Sequence, residues 1–182
     1  MALSRGADHA AVIPVELVET DASFRKLCAS NVCGNYGKNW CCPPDAGDIE
    51  DLMARLRTYR KILVYQTIGR LEDSYDFEGM AAAGARHGDL VLSMRQPVAE
   101  EKGLKRYLHL GAGGCRLCET CAKRTGEPCR HPDEAVVSLE AYGVNVSRLA
   151  AAAGMKYING QNTVTYFAAL LFDPAGDEEE TK

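Results

Sequence analysis

The chain has 182 residues, 46% of them apolar and 25% charged, with eight cysteines. That composition excludes disordered, collagenous and membrane-spanning chains, and it falls short of the ~8–10% cysteine of a disulfide-built secreted scaffold. The formal net charge of −4 comes from residues 173–182; without them 20 basic side chains balance 20 acidic ones, which leaves no basic footprint for a nucleic-acid backbone.

Residues 1–20 are broken by Arg5, Asp8, His9 and Pro14 and form no signal-peptide core, so the expected setting is cytoplasmic, with no membrane and no nucleic-acid partner. Length predicts a single metal-binding domain over residues 1–173, followed by an acidic, disordered tail over 174–182. In chain order, β-branched residues in Val12–Val18 predict a first strand. The Gly- and Asn-rich stretch from Cys28 to Cys42, closed by Pro43-Pro44, predicts an ordered loop. Asp48 can then cap a helix whose apolar stripe is Ile49, Leu52, Met53, Leu56 and Tyr59. Ile62–Ile68 reads as a central strand ended by Gly69.

A longer helix is expected over Phe77–Met94, facing inward through Phe77, Met80, Ala81, Gly84, His87, Leu90, Val91 and Met94 and ended or kinked at Pro97. Tyr107–Leu110 predicts a third strand running into Gly111-Ala112-Gly113-Gly114, a run that lets the backbone approach something closely. It lacks the phosphate-loop pattern and leads into cysteine. Ser138–Tyr142 and Val146–Ala153 look helical, with Gly143 and Gly154 as stops, and Thr163–Phe172 reads as a last strand. The fold class expected is α/β or α+β, a small mixed sheet flanked by helices with two cysteine-rich metal-binding loops.

Under reducing conditions clustered cysteines are metal ligands or redox groups rather than structural disulfides. Cys115, Cys118, Cys121 and Cys129 follow the pattern C-x2-C-x2-C-x7-C, with Pro132 beyond. Two consecutive two-residue spacers wrap a short loop around a cubane, and a more distant cysteine completes it; ferredoxins use a similar run with a shorter last spacer. Structural zinc, the alternative metal, usually takes its four thiolates from two separated C-x2-C knuckles. The second group is Cys28, Cys33 and one of the adjacent pair Cys41 and Cys42, whose side chains point in different directions; the alternative for the other member of the pair is to pack as an inert hydrophobe. Both neighbourhoods are locally basic, with Arg25, Lys26 and Lys38 around the first segment and Arg116, Lys123, Arg124 and Arg130 around the second. Such charge favours thiolates and an anionic metal group. Tyr36 and Trp40 are candidates to shield a cluster, and His9, His87, His109 and His131 form no ligand spacing.

The segments Tyr36-Gly37-Lys38-Asn39-Trp40-Cys41-Cys42-Pro43-Pro44 and Gly113-Gly114-Cys115-Arg116-Leu117-Cys118-Glu119-Thr120-Cys121, with Pro128 to Pro132 and Ser138 to Gly143 beyond, resemble a family of predicted cysteine-rich metal-binding proteins. The family is a domain of unknown function found mainly in anaerobes. The resemblance covers most of residues 24–172 and implies a metal or iron–sulfur protein. It also implies Cys42, the cysteine before the proline pair, as the ligand in preference to Cys41.

The expectation is therefore an iron–sulfur redox protein with a [4Fe–4S] cluster at Cys115, Cys118, Cys121 and Cys129 and a second at Cys28, Cys33 and Cys42, passing electrons to a redox partner protein. Two other readings stay open: a redox enzyme whose incompletely ligated cluster is the substrate site, and a zinc-stabilised interaction module.

Overall fold

The computed structural model describes residues 1–175. Five strands form one mixed sheet in the order β1-β2-β5-β3-β4, where β1 is His9–Pro14, β2 Lys61–Arg70, β3 Leu104–Gly111, β4 Val137–Ser138 and β5 Thr163–Pro174. The first three pairings in that order are antiparallel and β3 with β4 is parallel. Helices α1 (Phe24–Ala29), α2 (Ile49–Arg57), α3 (Phe77–Ser93), α4 (Arg95–Ala99) and α5 (Val146–Ala152) complete an α+β fold.

Side chains alternate across a strand, so β5 sends Phe167, Ala169 and Leu171 into one core and Ala168 and Leu170 into the other. The first core joins them to Leu52 and Leu56 of α2 and Leu149 of α5; the second joins them to Leu90 and Val91 of α3 and Val98 of α4. Burial on both faces explains why β2 and β5 read as apolar runs rather than alternating ones. Side-chain caps fix where helices begin: Asp48 Oδ1 accepts from the Glu50 N–H at 2.9 Å, and Asp76 Oδ1 from the Gly79 N–H at 2.7 Å.

Several boundaries differ from the sequence reading. The first strand lies earlier, because Val15–Leu17 turns as a 3-10 helix after Pro14. Gly69 continues β2 instead of ending it: a Cβ there would sit 2.5 Å from Ala83 Cβ, so this glycine lets α3 lie directly on the sheet. The long helix breaks at Met94, and Pro97 sits in the first turn of α4, where its missing N–H leaves little unsatisfied. Phe77 projects into solvent at 72% exposure and Ala83 takes a buried place on α3. Cys28 belongs to α1 rather than to a loop, and Ser138 ends β4 before a 3-10 turn at Glu140–Tyr142. Pro174, read from the sequence as the start of the acidic tail over 174–182, instead closes β5; residues 176–182 of that tail lie outside the described residues.

Candidate metal centre

All eight cysteines carry free thiols; Cys41 and Cys42 are buried, Cys33 is exposed and the rest are half-buried. The first segment runs from α1 through turns to α2. The second follows β3, with Cys121 just before a 3-10 turn at Ala122–Thr125. Bringing the two together requires a close backbone approach at the glycine run: a Cβ on Gly114 would lie 3.1 Å from Asn39 Nδ2. Asn39, itself buried, spans the seam. Its Nδ2 donates to the Cys115 carbonyl at 3.2 Å, and its Oδ1 accepts from the Cys41 N–H at 2.9 Å.

Trp40 ties the same seam on its outer side. Its Nε1 donates to the Glu127 carbonyl at 3.0 Å, and Lys123 Nζ lies 4.1 Å over its ring while reaching Asp45 Oδ1 at 2.6 Å. Trp40, Cys41, Cys115, Cys118, Cys121 and Cys129 line one cavity. His131 stands at the cavity's edge, 44% exposed and 3.8 Å from Glu134.

The adjacent cysteines divide between the two groups. Cys41 donates a hydrogen bond to Cys115, which raises the Cys41 thiol pKa and, with the backbone N–H groups of Leu117 and Val136 and the Arg95 charge, lowers that of Cys115. Cys42 instead feels Cys33 and Cys28 most among its cysteine neighbours, and burial pushes its thiol up to about 11. Cys28 is also raised by burial, against the opposing pull of Arg25. On the second segment the Arg130 guanidinium hydrogen-bonds Cys118 and Glu127. The basic residues thus include three that reach a thiol directly or through their charge: Arg25, Arg95 and Arg130.

Among the described residues no three His, Cys, Asp or Glu side chains converge closely enough to hold one ion together. The donor set is nonetheless coherent for a thiolate-bound group: five sulfurs around one cavity, guanidinium and amide N–H groups on two of them, and no carboxylate lining that cavity. No described helix is long and apolar enough to cross a membrane.

Two features escaped the sequence reading. Cys41, whose role was left open there, lies against Cys115. A buried polar cluster joins β2, β3 and α3: Tyr65 O–H meets His109 Nε2 at 2.6 Å, and Thr67 Oγ1 meets His87 Nδ1 at 2.9 Å. The only sequence signal for it was polar residues inside otherwise apolar strands.

No curated protein and no solved structure matches the chain. A family model described as "Predicted metal-binding protein (DUF2284)" matches residues 11–172, which include all eight cysteines. With that match spanning nearly the whole chain and the thiols gathered as above, the protein belongs to this family of predicted metal-binding proteins.

Proposed function

We propose that this metal-binding protein is a cytoplasmic iron–sulfur redox protein. The observation that carries the proposal is the gathering of Cys41, Cys115, Cys118, Cys121 and Cys129 around a single cavity, with Cys28, Cys33 and Cys42 beside it. Cys115, Cys118 and Cys121 would hold three irons of a [4Fe–4S] cluster and Cys129 the fourth, with Cys41 in reach of the same site. Cys28, Cys33 and Cys42 would hold a second cluster with one position left to another ligand.

What supports iron–sulfur over zinc is the double C-x2-C spacing of one short loop, which suits a cubane better than paired knuckles. When bound, the cluster would supply one-electron transfer. The protein's share is to hold thiolates with Arg130 and the Leu117 and Val136 N–H groups, and to exclude water with Trp40. Electrons would pass to a redox partner near Cys33, which is exposed, as are Leu27 and Val32 of the same segment.

The test is anaerobic purification followed by iron, sulfide and zinc analysis with visible and paramagnetic spectra. Brown protein with about eight irons per chain supports both sites and about four supports one. Colourless protein containing zinc overturns the proposal.

A further inference from the structure

A cavity of about 1080 Å³ adjoins the cysteines and shares Trp40, Cys41 and Cys129 with their cavity. Its size reaches the upper end of the ~300–1,000 Å³ usual for small-molecule sites. Much of the wall is apolar, with Leu92, Val98, Leu108 and Val136 contributing. His109 also lines it, and His109 Nδ1 is buried with no hydrogen-bond partner among the described residues.

The proton on that histidine can be placed from its neighbour. Tyr65 is fully buried and its hydroxyl has one partner, His109 Nε2 at 2.6 Å. A buried hydroxyl left without an acceptor is costly, so the Tyr65 O–H donates to Nε2 and the imidazole proton sits on Nδ1. Burial, helped by the charges of His87 and Arg95, lowers the His109 pKa to about 4, so the ring is a neutral donor near pH 7. Arg95 lines the same cavity; its Nη2 holds Glu134 at 2.5 Å, which leaves it further N–H groups, and its charge is felt by His109. Asp133 and Glu134 also line the cavity, Glu134 being held by Arg95, so the groups that select an anion are the His109 Nδ1–H and the Arg95 N–H groups that Glu134 does not occupy.

We propose that this cavity binds a small organic acid, its apolar body against the Leu92, Val98 and Val136 walls and its carboxylate accepting from His109 Nδ1–H and the Arg95 guanidinium. The binding goes beyond the iron–sulfur reading, because every group it uses belongs to the protein. It rests on that reading only in setting the ligand beside a redox centre.

The experiment titrates the full chain, purified without oxygen, with cyclohexanecarboxylate and follows calorimetry and the fluorescence of Trp40, the single tryptophan. Saturable binding is expected, with cyclohexanecarboxamide at least tenfold weaker and cyclohexylmethylamine showing none. Arg95→Gln should weaken the acid at least fivefold with unchanged circular dichroism and thermal midpoint, and His109→Phe should do the same if it folds. No saturable binding, amine or amide binding equal to that of the acid, or undiminished binding by folded Arg95→Gln would overturn the proposal. Protein that binds the acid but carries no iron would overturn the redox reading alone, and iron-bearing protein indifferent to the acid would overturn this inference alone.

Discussion

Asn39 donates from Nδ2 to the Cys115 carbonyl at 3.2 Å while its Oδ1 holds the Cys41 N–H, so one buried amide fixes the spacing of two cysteines from distant parts of the chain. Both ends of the amide are used.

Asn39→Ala removes both bonds and leaves a buried N–H and C=O without partners, which costs about 1–3 kcal/mol of stability. Because those groups orient thiols, metal retention should fall about 10- to 100-fold, as for partners one step removed from a metal. Chelator competition against wild type measures it. Equal retention would mean the amide only fills space.

Cys41→Ser and Cys42→Ser should give different spectra although the residues are adjacent. Cys41 hydrogen-bonds Cys115, whereas among its cysteine neighbours Cys42 feels Cys33 and Cys28 most. Cys42→Ser is expected to lose about half the iron of a two-cluster protein, whereas Cys41→Ser should alter the signal of the remaining group at Cys115. Indistinguishable paramagnetic spectra for the two variants would refute the division.

Gly69→Ala should destabilise the fold by about 1–3 kcal/mol, because the new methyl would lie 2.5 Å from Ala83 Cβ and 3.0 Å from Val164 Cγ1. Relief requires moving α3 off the sheet. A urea midpoint equal to that of wild type would show that the helix shifts freely.

His87 is 2% exposed, and burial, followed by the charges of Arg86 and Arg116, lowers its pKa to about 4. The unfolded ring titrates near 6.5, so between those values the unfolded chain binds the extra proton and stability rises with pH. The contribution is fully present above about pH 6.5 and is lost as pH falls toward 4, amounting to about 2 kcal/mol between pH 7 and 5. His87→Gln keeps a partner for Thr67 and should flatten that part of the profile in chemical denaturation at several pH values. An unchanged slope would assign the acid sensitivity elsewhere.

The sequence by itself determined what depends on neighbours along the chain. Helix caps and apolar runs are local, so α2 with its Asp48 cap, the helical region 77–94 and the central strands were all legible, as was the mixed α+β sheet. Tertiary structure decided what depends on distance across the fold. Gly69 looked like a strand end because glycine is locally a breaker, yet the contact with Ala83 that requires it comes from another element. Cys41 and Cys42 are locally equivalent, and only the approach of the Gly114 backbone to Asn39 sets one against Cys115 and leaves the other for Cys28 and Cys33. Tyr65 and His109 meet because β5 stands between β2 and β3 with the small Ala168 in register beside Tyr65, leaving room for the hydroxyl to reach the imidazole. Spacing can specify which ligands share a loop; only packing specifies which loop they face.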